Sequence, residues 1–102
     1  MADILFHELE NRAEAWHVAK FGTARPFAGK TYAKLLEEVG ELGEAIMCGD
    51  PDSVEHEIGD VLHVLMHLAR IGYGPGRLLV PALQAIERCE ARLQAPGQRG
   101  EG

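Results

Sequence analysis

Cysteine is scarce: the chain holds two, Cys48 and Cys89, too few for a disulfide framework and not spaced as a CxxC metal knuckle. That usage suits a reducing, cytoplasmic setting. Basic runs are missing as well. Ten Lys and Arg stand against sixteen Asp and Glu, for a net charge of -6, which excludes binding to a nucleic-acid polymer through its phosphate backbone. No window approaches the roughly eighteen consecutive apolar residues of a membrane helix. The apolar run Ile4-Leu5-Phe6 is stopped by His7-Glu8, so neither a signal peptide nor a membrane span is expected. Sustained period-two runs of β-branched residues are absent too, which argues against strands. What remains is a chain of 102 residues, 46% hydrophobic and 25% charged, sized for one small globular domain.

Apolar residues recur at helical spacing almost throughout, and the fold class that follows is all-α. A first helix is expected over residues 3–20, marked by Ile4, Leu5, Leu9, Ala13 and Trp16. Residues 22–29, with Pro26 and two glycines, read as a loop. A second helix starts near Thr31 and runs to Cys48, where Gly49-Asp50-Pro51 stops it. Asp50 can cap the next helix and Pro51 can occupy its first turn. A connection this short makes antiparallel neighbours, so the second helix and the third, over residues 51–71, form a central helical hairpin. A fourth helix is expected over residues 75–93, with Leu78, Leu79, Ala82, Leu83 and Ile86 facing inward. The domain covers residues 1–95, and 96–102 form a polar, glycine-rich disordered tail.

The acidic residues carry the chemistry. On the second helix Leu35, Val39, Leu42 and Ile46 share one stripe, while Glu37, Glu38, Glu41 and Glu44 occupy a separate arc. Alone, that arc is an ordinary solvated face. On the third helix Val54, Ile58, Val61, Leu65 and Leu68 define the apolar stripe, yet Glu57 projects at its margin. A carboxylate placed there is normally paired, protonated or metal-bound. Folding the hairpin about Asp50 sets Glu41, nine positions before it, at the height of Asp60, ten after. Glu38 and Glu57 flank that level. Helices about 8–10 Å apart would let such carboxylates converge in one groove. Their repulsion would be relieved by a hard divalent cation, Mg2+ or Mn2+, with coordination positions left for phosphate oxygens and water.

The segments Lys34-Leu-Leu-Glu-Glu-Val-Gly-Glu-Leu-Gly-Glu-Ala-Ile46 and Glu57-Ile-Gly-Asp-Val-Leu62 resemble the MazG-like all-α NTP pyrophosphohydrolases. The signature of that family, ExxE followed by ExxD, falls here on Glu38 and Glu41, then Glu57 and Asp60. The resemblance covers about residues 13–92 and includes a Trp16-His17…Phe21-Gly22 opening similar to that of short members. It implies Mg2+-dependent cleavage of a (d)NTP between the α and β phosphates, to (d)NMP and pyrophosphate, as a house-cleaning activity. Glu38, Glu41, Glu57 and Asp60 are then the metal ligands and catalytic acids. One of them, or neighbouring Glu37, orients the attacking water. The segment Arg88-Cys-Glu-Ala-Arg92 resembles a family KFxxR-type segment whose basic groups reach the triphosphate, although Ile86 stands where many members have Asn and Cys89 replaces an aromatic residue.

Further substrate-binding candidates are Trp16, His17 and Phe21, whose rings can stack on a nucleobase, and Lys34, which can reach phosphate or pair within its own helix. His63 and His67, at i and i+4, have zinc-compatible spacing, but no HExxH motif accompanies them. A polar stripe facing solvent or a second subunit is the simpler reading. The glycine run at residues 71–76 lacks the Lys-Ser/Thr of a P-loop and reads as a turn. Wide apolar arcs on small helices, together with the family resemblance, imply a homodimer or tetramer. The alternative to an enzyme is a noncatalytic helical interaction module that retains the scaffold.

Overall fold

A computed structural model describes residues 5–22, 28–71 and 77–94. Four helices account for nearly all of them, and no strand occurs among the described residues: α1 (Phe6–Phe21), α2 (Ala28–Cys48), α3 (Pro51–Ile71) and α4 (Leu79–Gln94). The all-α class and the central hairpin are as the sequence predicts. Packing between α2 and α3 is the most extensive, and α1 lies against α3. Among the described residues, no helix is long and apolar enough to cross a membrane.

The hairpin turn follows from three residues. Gly49 takes φ 70°, a left-handed conformation that costs any other L-residue roughly 1–2 kcal/mol, and its N–H donates to Ala45 and Ile46 carbonyls, both at 3.1 Å. Asp50 then caps α3: its carboxylate accepts from the Asp52 N–H at 3.1 Å and from the Ser53 hydroxyl at 2.7 Å. The Ser53 hydroxyl and the local backbone N–H groups hold the Asp50 carboxyl below its usual range. Pro51 sits in the first turn, where no N–H is needed.

Two boundaries differ from expectation for physical reasons. α2 begins at Ala28, so Ala28 and Gly29, expected in the loop, are helical, and the helix starts three residues before Thr31. α4 begins at Leu79, four residues late, because Pro81 fits only in a first turn and would break a helix begun at residue 75. The N–H of Leu78, just before α4, donates at 2.6 Å to the carboxylate of Glu10, which is 4% exposed on α1. The expected starts of the first helix and of the fourth, the turn at residues 72–76, most of the loop at 22–29 and the tail at 96–102 lie outside the described residues.

The buried faces also differ from the predicted stripes. On α2 they run through Thr31, Glu38 and Ala45, leaving Val39 and Ile46 exposed; on α3 they run through Met66, His67 and Ile71, with Ile58 exposed. On α2 the buried face is thus turned toward polar members of the helix, Thr31 and Glu38, whereas on α3 Val54, Val61, Leu65 and Leu68 of the predicted stripe are partly buried. α4 buries none of its residues, and Leu79, Leu83 and Ile86, expected to face inward, are exposed. The radius of gyration, 16.1 Å, exceeds the about 13 Å of a close-packed 100-residue domain.

Candidate active site

The rotation of α2 brings Glu38 into the hairpin groove. Its side chain is 8% exposed, and Lys34, one turn earlier on the same helix, reaches Glu38 Oε1 at 3.0 Å and Glu37 Oε1 at 3.4 Å. The other oxygen of Glu38 is buried without a hydrogen-bond partner among the described residues. So is Oε2 of Glu57, across the groove on α3. Buried carboxylate oxygens are expensive to leave unmatched, so a groove with two of them is built to receive a cation or a proton donor.

Glu38, Glu41 and Glu57 each place a carboxylate oxygen within 4.8 Å of the others. Two donors bound to one ion at about 2.1 Å can lie up to about 4.2 Å apart, so small side-chain rotations would close this set around a hard divalent cation. The titration behaviour agrees with crowding of like charges. The Glu41 carboxyl is pushed up, first by the charge of Glu38, then by burial and by Glu57. Glu38 is held down, chiefly by its bond to Lys34, and the same contacts with Glu38 and Glu37 raise Lys34. Glu38 is thus the anion of the group, and Glu41 the member on which repulsion falls.

Asp60 joins this constellation through Glu57. It belongs to a second group, His56, Glu57 and Asp60, again with donor atoms within 4.8 Å of one another, and its Oδ2 lies 3.1 Å from His56 Nε2. The four acids expected from the sequence therefore fall into two overlapping triads that share Glu57. They do not form one set of four.

Beside the acids lies a cavity of about 360 Å³, bounded by Trp16, His17, Phe21, Lys30, Thr31, Lys34, His63, Val64 and His67. Lys34 belongs to both places. The wall is a stack of rings: His17 lies 4.3 Å from His67 and 4.6 Å from His63, and Phe21 lies 4.7 Å from His67. Trp16 meets His63 at 5.1 Å, and Lys20 covers the outer face of Trp16 at 5.7 Å. Arg70 approaches His67 Nδ1 at 3.4 Å; since arginine can only donate, Nδ1 is the lone-pair nitrogen. Burial, and then the electrostatics of His67, His63 and Arg70, lower the pKa of His17 to about 4; burial and Arg70 lower that of His67.

Trp16, His17, Phe21 and Lys34 are thus brought together as a sequence-derived set. Their partners Lys30, Thr31, His63, Val64 and His67 were not among the expected pocket residues. The i, i+4 pair His63 and His67 was the available signal. These two do not converge with His17 as metal donors, since the metal-compatible groups among the described residues are the two triads at the acids. Arg88 and Arg92 line neither the cavity nor a triad. Arg92 donates to Cys89 Sγ of its own helix at 3.2 Å, and Arg88 borders a shallow depression on α4.

Residues 29–81 match the MazG nucleotide pyrophosphohydrolase domain, a span that contains all four acids, Lys34 and both cavity histidines of α3. The chain is also 32% identical over 80 residues to a phosphoribosyl-ATP pyrophosphatase of Methanopyrus kandleri, covering 74% of this chain and 80% of that protein. No solved structure matches the chain significantly. With most of its length matched and its paired acids inside the match, the chain belongs to the MazG nucleotide pyrophosphohydrolase family and is an enzyme of that class.

Proposed function

We propose that the protein is a Mg2+-dependent (d)NTP pyrophosphohydrolase that hydrolyses the bond between the α and β phosphates, releasing (d)NMP and pyrophosphate in a house-cleaning role. The observation that carries this reading is the pair of unmatched buried oxygens on Glu38 and Glu57, facing one groove from two helices. An all-oxygen donor set suits Mg2+, with Mn2+ as an alternative. A bound divalent cation neutralises charge on the polyphosphate and lowers the pKa of a coordinated water.

Each residue has a role in that reading. Glu38, Glu41 and Glu57 would hold the cation, and Asp60, which stands beside Glu57 but apart from the other two, would join them from α3 by side-chain rotation; one of these carboxylates, or Glu37, orients the attacking water. Lys34, between acids and cavity, offers its ammonium to the substrate phosphates at the expense of its bond to Glu37. The ring-lined cavity takes the base: Trp16, His17 and Phe21 supply faces for stacking, each worth about 1–3 kcal/mol per stacked base. Positioning and charge neutralisation together are what phosphoryl and nucleotidyl transfer require.

The working unit in this reading is a homodimer or tetramer in the cytoplasm. Leu36, Val39, Ile46 and Met47 on α2, with Leu79, Val80, Leu83 and Ile86 on α4, are all exposed large apolar side chains in a single chain. A second copy would cover them. It would also supply the route by which Arg88 and Arg92 reach a triphosphate. Neither a nucleic-acid polymer nor a membrane is a partner here.

The other reading, a noncatalytic helical module, draws on Cys89 and Ile86 in the α4 segment. Pyrophosphate release, measured across the common (d)NTPs with and without Mg2+, separates the two. Metal-dependent formation of monophosphate and pyrophosphate in equal amounts is expected. Absence of turnover on every nucleotide, with the chain folded and Mg2+ saturating, would leave the module.

A further inference from the structure

His67 stands in the wall of the ring-lined cavity, where its neighbours leave it a single edge for a ligand. Its two faces are covered by stacked rings, His17 at 4.3 Å and Phe21 at 4.7 Å. Its Nδ1 accepts from the Arg70 guanidinium at 3.4 Å. What the ring has left to turn toward the cavity is the side that carries Nε2. Arg70 fixes the chemistry of that side. Burial, and after it Arg70, hold the pKa of His67 below its usual range, so the ring carries one proton at neutral pH. Arginine can only donate, so that proton resides on Nε2. The bond is firmly kept, because Arg70 Nε is already buried without a partner among the described residues. Losing His67 would leave more of a half-buried guanidinium unmatched.

The rest of the polar wall leans the same way. Trp16, Lys30 and Lys34 offer hydrogen-bond donors and no acceptor, and Thr31 adds a hydroxyl that can do either. Among the described residues, no Asp, Glu, Asn or Gln side chain lines the cavity. A nucleobase amino group needs an acceptor opposite it, whereas an exocyclic carbonyl needs a donor. We propose that His67, held in its Nε2–H tautomer by Arg70, donates to an exocyclic carbonyl of the base, so that the enzyme prefers carbonyl-bearing bases to their amino counterparts: uracil over cytosine, hypoxanthine over adenine. This rests on the reading that the cavity receives the base of a nucleoside triphosphate.

The stacking faces alone would not make this choice, because every base has a π-face. The edge does. A buried N–H that meets an amino group is left unmatched, which costs more than a merely poor hydrogen bond. His67 sets specificity by touching the base, and Arg70 is a positioning residue that acts only through it. The two are one helical turn apart on α3, at i and i+3, so one element carries both the reader and its support.

Initial rates on dUTP against dCTP, and on dITP against dATP, read the preference as a ratio of kcat/KM, while 15N NMR of the histidine rings reads the tautomer. The wild type is expected to favour the carbonyl member of each pair at least about tenfold and to hold the His67 proton on Nε2. His67→Phe, which keeps a ring in the stack, should bring both ratios close to one by slowing the carbonyl member. Arg70→Met should lower the ratios and spread the His67 proton over both nitrogens, with the helical circular dichroism retained. Equal rates within each pair, preference for the amino member, or a wild-type proton on Nδ1 overturns the proposal and leaves the pyrophosphohydrolase reading intact. So does a preference that survives in either folded variant. Absence of turnover on all four nucleotides, with the wild type folded and Mg2+ saturating, overturns that reading and this proposal with it.

Discussion

Glu38 and Glu57, on facing helices, each hold one buried carboxylate oxygen with no hydrogen-bond partner. Their convergence with Glu41 makes the hairpin groove a place where negative charge is stored at a cost to the fold. Neutralising one member should relieve that cost in metal-free protein and remove the metal's effect on stability. Wild-type protein is expected to melt higher as Mg2+ is added, by about 2.7 kcal/mol at a hundredfold excess over Kd. Glu38→Gln should melt at or above the metal-free wild type and show no Mg2+ response in calorimetry.

Lys34 links the acids to the cavity, holding Glu38 at 3.0 Å while lining the ring-walled space. Lys34→Gln removes both functions. The expected result is a higher KM for nucleotide without loss of Mg2+ affinity, since Glu38 Oε1 is freed, read from initial rates over a matrix of metal and substrate concentrations. A change in kcat alone would place Lys34 outside phosphate binding.

The stacked imidazoles set an acid limit on the fold. His17 is 3% exposed and titrates at about 4, below its ordinary 6.5, with burial as the main cause; His67 is shifted the same way. A histidine whose folded pKa is depressed contributes stability above its unfolded pKa and loses it as pH falls. Stability should therefore hold above about pH 6.5 and decline as pH falls from there toward about 4, as α1 loses its contact with α3. His17→Phe should flatten this decline in urea unfolding followed from pH 7 to pH 4.

Much of this was legible from sequence, and the failures have physical causes. The hairpin was readable because Gly49, Asp50 and Pro51 each have one structural use at a turn between helices. The pairing of acids across it followed from counting residues on either side of that turn. The buried faces were not readable, because apolar periodicity points to the surface that most needs cover. On α2 that surface, with Val39 and Ile46, is exposed in a single chain, while Thr31, Glu38 and Ala45 are buried. The cavity histidines were missed for a related reason: imidazoles at i and i+4 look alike whether they stack on α1 or bind a metal.

Gly49 offers a test of the turn itself. Its φ of 70° lies where a Cβ is disfavoured, although a Cβ there would meet no atom within 4 Å. Gly49→Ala should thus cost about 1–2 kcal/mol through backbone conformation alone, without steric clash. Thermal unfolding should register it as a drop of several degrees, and catalysis should be unchanged below that temperature.

The central claim is that carboxylates from two helices together hold the ion that makes nucleotide hydrolysis possible. It is tested most directly by turnover of Glu38→Gln, Glu57→Gln and Asp60→Asn under saturating Mg2+, each first shown to be folded by circular dichroism. The account predicts that rates in the α2 and α3 variants alike fall by at least about 10²-fold, the scale on which lost electrostatic stabilisation is felt. Hydrolysis at the parental rate by Glu38→Gln and Glu57→Gln would contradict it.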